Sequence, residues 1–407
     1  MRTSCIIALS LFLIICPIWV HIIRRTGLLQ HDDALTRIES MSLVHGKTAI
    51  ATYTSNVTRK RDLVVDRINS CWPGGRALSP LRIPDTIKLL HNSNHESDLS
   101  MCGASADILQ VVAEVSCIVE ANILSIYDLY ANKCISNPMY VHVIVTLDLI
   151  SCYRIANQSG LAWKHVRCID ERKIFGDTLT MQLIREELSK VGPTADKKGA
   201  PWFFQQFLKI EAVARGIGGL GDRVRIIDGD VLILSYSPWF LNSGHAIYDS
   251  CYSKSDGYNG IRYGHVYFSL TGKRLVGSSE MVAHSMSTTR KHVCRLKRDL
   301  AGGNSAVGIN LTLWPLKSLR ALCDANAITG FSEYWYIFSS TVYYFPDEVV
   351  IRYQDPKSPP HCVRVSSVKC SVYAERLIEM AQTSYPEATY VVFESHDSRK
   401  RMVSSYT

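Results

Sequence analysis

The chain has 407 residues, 47% of them hydrophobic, and a formal net charge of +8. That hydrophobic share supports a sizeable core, with roughly 300 residues left for one large domain or two fused ones once an apolar N-terminus and a polar lead-in are set aside. The basic residues are dispersed apart from residues 59–61, 291–298 and 399–401, and no aromatics are interleaved with them, which argues against nucleic-acid binding; a mild positive balance suits a nucleotide-diphosphate substrate.

Residues 5–23 are apolar, interrupted only by Ser10, Pro17 and His21. A membrane-spanning helix needs about 20 such residues. Arg2 precedes the segment and Arg24-Arg25 follow it, so residues 1–25 are expected to form an uncleaved signal anchor; a cleaved signal peptide is the rival reading. The flanking charges are nearly balanced and do not fix orientation. Residues 26–104 read as a polar stem, with a loop cluster at residues 91–98. A large folded domain is expected over residues 105–395 and a basic tail over 396–407.

Acceptor sequons at Asn56, Asn157 and Asn310 and a total of 13 cysteines agree with a lumenal, oxidising compartment, which leads to an expected location in the Golgi or endoplasmic reticulum membrane. No Cys-x-x-Cys pair or zinc-finger spacing occurs. Buried free thiols are the other reading of these cysteines, and the apolar or helical surroundings of Cys117 and Cys152 favour it there.

Within the domain, β-branched residues crowd 108–119 and a helix is expected over 121–133. A strand over 140–146, a helix over 150–156 and a strand over 163–169 follow, the last running into Asp170-Glu171. Helices are expected over 179–191 and 202–214, then a strand that ends at Asp228. This alternation predicts an α/β fold with a mostly parallel central sheet flanked by helices. Gly216-Ile-Gly218-Gly-Leu-Gly221 matches a dinucleotide fingerprint in letters only. It follows a helix and precedes a strand, the reverse of the order that motif needs, and reads as a helix stop.

Asp228-Gly229-Asp230 carries the chemistry. A buried apolar strand does not normally end in two acids, because each must be desolvated and the pair repels. A divalent cation removes that conflict, and Mg²⁺ or Mn²⁺ typically bridges such carboxylates to substrate phosphates. An ordinary Asp-Gly turn is the alternative.

Four blocks together resemble a family of glycosyltransferase-like proteins of the GT-A type. They are residues 201–209 (Trp-x-x-Gln-Gln-x-x-Lys within them), residues 225–230 with the Asp-x-Asp, the His284-Ser-Met286 segment, and Ser332-Glu-Tyr334. The chain departs from the pattern by one residue inserted before Met286 and by Trp335 where an acid is often found. The resemblance spans roughly residues 110–350. It implies a GT-A-like nucleotide-diphospho-sugar transferase fold and transfer of a sugar from a nucleotide-diphosphate donor to a glycan or protein acceptor. Asp228, Asp230 and His284 would hold Mn²⁺ (or Mg²⁺), and Asp228, Gln205, Gln206, Lys209 and Tyr334 would contact substrate, with Lys209 on phosphate. Asp230 and Glu333 would be catalytic, Glu333 as the acceptor base. Lys209 on a solvated helix face, Glu333 as a helix N-terminal acid capped by Ser332, and core roles for Trp202, Tyr334 and Trp335 are the bland counterparts. A secretory-pathway binding or scaffold protein that keeps the fold without turnover is the alternative function.

Overall fold

The computed structural model describes residues 80–90, 106–132, 140–191, 199–251, 258–277, 281, 284–302, 313–322, 330–352, 362–366 and 373–394. The expected anchor, the tail, sequons Asn56 and Asn310 and most of the expected stem lie outside the described residues. Among those described, no helix is long and apolar enough to cross a membrane.

Strands β1 (Lys88–Leu90), β2 (Asp107–Val111), β3 (His142–Thr146), β4 (Val166–Asp170), β5 (Arg223–Asp228), β6 (Val231–Ile233), β7 (Ala246–Asp249), β8 (Ser285–Thr289), β9 (Val349–Arg352), β10 (Cys362–Ser366) and β11 (Tyr390–Glu394) form three sheets. The central sheet has the order β4-β3-β2-β5-β8, parallel except for β8, which runs antiparallel to β5. β2, β3 and most of β5 are buried on both faces, and their near-continuous Val/Ile/Leu runs suit strands covered on both sides. Smaller sheets run β1-β9-β7 and β10-β11-β6.

The chain steps outward from β2 to β3 and β4, then returns to the other side of β2 as β5. That reversal is the switch point at which open α/β sheets bind ligands, beyond the carboxyl ends of their strands. Val111 and Asp228, the last residues of β2 and β5, lie opposite one another there.

Boundaries shift from the sequence reading. The helix expected over 121–133 starts earlier, as Cys117–Ile126, and continues as a wider π turn over Tyr127–Asn132. Residues 163–165 belong to a 3₁₀ turn, Ala162–His165, before β4 begins. Residues 80–90, expected in the stem, supply β1, and buried Ile87 and Leu90 join the core. Gly216 takes φ 63° directly after the helix Gly199–Arg215, the left-handed conformation that ends helices.

Cys152, expected as a free thiol, is bonded to Cys168, with Cα atoms 5.9 Å apart across the helix Leu149–Ala156 and β4. The apolar surroundings are real, but the helix packs its cysteine onto the strand at bridging distance. Cys117 is likewise disulfide-bonded. Cys251 and Cys362 form a further bridge, and Cys294 is a free thiol.

Candidate metal centre

Asp228 closes β5, and His284 immediately precedes β8. Because β8 is antiparallel and pairs Ser285 with Ile227, its start coincides with the end of β5. The Asp228 N–H donates to the His284 carbonyl at 2.9 Å, which stitches the two residues together through the backbone. His284 adopts φ 57°, the non-glycine among the described residues in the left-handed region. Such a conformation costs on the order of 1–3 kcal/mol and persists where the surroundings enforce it, commonly at functional sites.

Gly229 lets the chain turn from the central sheet into β6. A Cβ there would stand 2.5 Å from Cγ1 of Val112, so any side chain between the two acids would force Val112 to shift. Beyond it, the Asp230 carbonyl accepts from Phe393 N at 2.8 Å, which anchors the second acid to β11.

One ligand atom from each of Asp228, Asp230 and His284 lies within 4.8 Å of the others. His284 Nδ1 is 3.0 Å from Asp228 Oδ2. On the other carboxylate oxygen, Oδ1, Tyr334 donates its hydroxyl at 2.7 Å and Lys209 donates its ammonium. Lys209 Nζ also donates to Glu333 Oε1 at 2.6 Å, and the Gln206 amide faces the same carboxylate and donates to it. Side-chain exposure is 1% for Lys209 and 2% for Glu333, against 19% for Asp228 and 22% for His284. The lysine and glutamate are therefore the floor of the site, and the aspartate and histidine are its surface.

Burial works against every charge here, and the partners decide the outcome. For Asp228 burial is the largest influence and opposes ionisation, but the Lys209 charge and the His284 hydrogen bond hold its carboxyl well below the usual range. Asp230 has no such cation in contact; burial pushes it up, only partly offset by His284. Burial also raises Glu333 in spite of Lys209. For His284 burial disfavours the charged ring, yet the hydrogen bond to Asp228 and the charges of both aspartates raise it on balance. Asp230 Oδ1 is buried without a hydrogen-bond partner. A buried carboxylate oxygen left without a donor is costly unless something fills the place. Two carboxylates and an imidazole suit a divalent cation, Mn²⁺ better than Mg²⁺ because of the nitrogen donor. With all three acids ionised and the imidazole neutral, as ligation requires, one ammonium leaves two negative charges for such an ion to neutralise.

The fold thus gathers the four blocks at one point, but several expected contacts differ. Lys209 does not present its ammonium to an approaching phosphate; it is buried between Asp228 and Glu333. Glu333 follows the N-cap Ser332, whose hydroxyl accepts from Trp335 N at 3.4 Å, and its carboxylate lies buried under the cluster against Lys209. Tyr334 donates its hydroxyl to Asp228. Trp335 is core, with its indole donating to the Val276 carbonyl at 2.6 Å. Gln206 serves Glu333, and Gln205 donates to the carbonyl of Val111 at the end of β2.

Arg225 was not anticipated. Buried on β5, it donates to Ser285 at 2.8 Å and Ser287 at 2.9 Å on β8 and to Asp249 at 2.7 Å on β7. It ties β8, and with it the residue before it, His284, to β5. Its signal was an arginine between Val224 and Ile226, in the buried middle of the strand. A separate cavity of about 360 Å³, lined by Asp222, Arg290, Cys294 and Glu348 among others, lies at the opposite end of β5 and β8.

No protein-family model matches this chain, and no curated protein matches it. Solved structures with some similarity include the galactosyltransferase LgtC in complex with donor and acceptor sugar analogues, at 8% identity, TM-score 0.30, covering 70% of this chain and 86% of that one. Mouse xyloside xylosyltransferase 1 in its apo form matches at 10% identity and TM-score 0.35, covering 71% of this chain and 97% of that one. The bifunctional glycosyltransferase WbbM matches at 12% identity and TM-score 0.25, covering 71% of this chain and 46% of that one. These scores are low, and nothing about the chemistry of this chain follows from them.

Proposed function

We propose that this chain is a metal-dependent glycosyltransferase that moves a sugar from a nucleotide-diphosphate donor to a glycan or protein acceptor. The observation that carries the reading is the convergence of Asp228, Asp230 and His284 at the switch point of the sheet, with Asp230 Oδ1 buried and unpaired. Asp230 and His284 are the principal ligands, and Asp228 offers the oxygen that faces His284. A bound Mn²⁺ would neutralise the leaving diphosphate and orient it. Asp228, Asp230 and His284 hold that position, and the strand ends around Val111 line the donor crevice. Glu333 and Lys209 have structural duties toward Asp228, so acceptor deprotonation is not assigned to Glu333.

The disulfides Cys152–Cys168 and Cys251–Cys362 and the exposed sequon at Asn157 support a secretory-pathway location, since such bridges persist in oxidising compartments. With an N-terminal anchor this would be a single-pass protein of the Golgi or endoplasmic reticulum membrane, its catalytic domain lumenal.

A thermal-shift screen of nucleotide sugars with and without Mn²⁺ tests the function, because a ligand that binds only the native state raises its apparent stability. Mn²⁺-dependent stabilisation by a nucleotide sugar, with donor hydrolysis or transfer, is the expected result. Binding without turnover would make the chain a binding protein that keeps the fold. No Mn²⁺-dependent response to any donor would overturn the proposal.

A further inference from the structure

Two sequence blocks pack beneath the acid pair. The helix Gly199–Arg215 supplies Gln206 and Lys209, and the helix Glu333–Tyr344 supplies Glu333 and Tyr334. All four side chains end up beneath Asp228. We propose that Lys209, held by Glu333, which Gln206 supports in turn, is a positioning residue that works with Tyr334 to aim Asp228, occupying Oδ1 and presenting only Oδ2 to the cation site. This rests on the metal reading above.

Three features point the same way. The first is the choice of oxygen. The ammonium and the phenol hydroxyl both donate to Oδ1, while His284 lies on Oδ2, so the two sides of the carboxylate are assigned to different partners. The second is the fixing of the lysine itself. Its Nζ is tied to Glu333, lies 3.5 Å from the Tyr334 hydroxyl and stands 4.7 Å above the centre of the Tyr334 ring. A side chain held on three sides cannot swing out to meet a ligand. The third is that Tyr334 also donates to the His284 carbonyl at 3.2 Å. One hydroxyl therefore spans the backbone of the histidine and the carboxylate of the aspartate, and sets their spacing.

Charge alone predicts the opposite behaviour. A fixed ammonium repels an incoming cation, so if Lys209 acted only through its charge, its removal would tighten metal binding. A positioning residue predicts weaker binding on removal, because the ligand oxygen is no longer aimed. Partners that orient metal ligands typically change affinity by about 10–100-fold when removed.

The test is Mn²⁺ affinity, measured by electron paramagnetic resonance on the purified full chain. The variant is Lys209→Met combined with Glu333→Gln, which removes one positive and one negative charge and leaves the net charge of the cluster unchanged. Thermal unfolding checks that it folds. The expected result is Mn²⁺ binding weaker by about 10–100-fold in a folded protein; equal or tighter binding would overturn the proposal. If the double variant does not fold, Tyr334→Phe decides, since it keeps the ring and removes only the hydroxyl. Several-fold weaker Mn²⁺ binding at unchanged melting temperature supports the proposal, and unchanged affinity overturns it. A wild-type chain that binds no Mn²⁺ is a different failure: it would sink the metal reading, and this inference with it.

Discussion

Glu171 gives a sharp pH test of how this fold treats acids at the carboxyl edge of its sheet. The residue follows β4, is buried, and its N–H donates to the Thr146 carbonyl at 3.3 Å. Burial, then the neighbouring Asp170 charge, push its carboxyl from the ordinary 4.5 up to about 7. The folded state therefore binds the proton more tightly than the unfolded chain does. Below pH 4.5 both states are protonated and nothing is lost. As pH rises from 4.5 to 7 the unfolded chain gives up the proton while the folded state still holds it, and stability falls; above 7 both states are ionised and the loss is complete. At 1.36 kcal/mol per pKa unit the full loss is about 3 kcal/mol. Glu171→Gln keeps the shape and removes the ionisation, so it is expected to stabilise the protein by about 3 kcal/mol at pH 8 and by close to nothing at pH 4.5. Urea unfolding of wild type and variant across this range measures the difference. An equal effect at both ends of the range, or destabilisation at pH 8, would refute the reasoning, because either result means that the carboxylate has a compensating partner.

Other expectations can be checked in the same preparations. Asp230→Ala is expected to abolish Mn²⁺-dependent nucleotide-sugar binding while leaving the melting temperature equal or higher, since the acid is buried without a hydrogen bond at Oδ1; destabilisation with binding retained would make it a turn residue. Gly229→Ala should cost about 1–3 kcal/mol by overpacking and weaken Mn²⁺ binding, and adding Val112→Ala should recover both; calorimetry of the single and double variants decides. Replacing Cys152 and Cys168 by serine opens a bridge of sequence separation 16 and should lower stability by about 3 kcal/mol; a stability matching that of wild type would show the bridge to be dispensable. Endoglycosidase treatment of the cellular protein should increase its gel mobility through Asn157, with the chain kept in membranes after alkaline carbonate. Release by carbonate with a mature N-terminus beyond residue 20 would show a cleaved signal instead.

The acid pair was legible because Asp228 and Asp230 interrupt an apolar run, and a strand end in an α/β sheet is where such acids make chemical sense. The alternating elements around it were legible for the same reason, since periodicity reports local structure. Lys209 was not. On its own helix it reads as a solvated or phosphate-facing cation, and what reverses that reading is Glu333, 124 residues later in the chain. Glu333 was correctly placed behind the N-cap Ser332, but its burial comes from the helix Gly199–Arg215, which its local sequence does not report. β1 was missed because three residues in a polar stretch become a strand only by pairing with β9, more than 250 residues further on. Cys152 looked like a core thiol because its helix is apolar, and only the register of that helix on β4 brings Cys168 to it.

The left-handed backbone at His284 makes that position informative beyond this chain. Glycine would sit there without steric cost, and asparagine, like histidine, tolerates it, so the imidazole is kept at a backbone cost that glycine would avoid. A relative released from selection for ligation would be expected to drift toward glycine or asparagine at this one site while keeping the same fold. The residue aligned with 284 would then sort relatives that retain the chemistry from those that have only inherited the scaffold, before any of them is assayed.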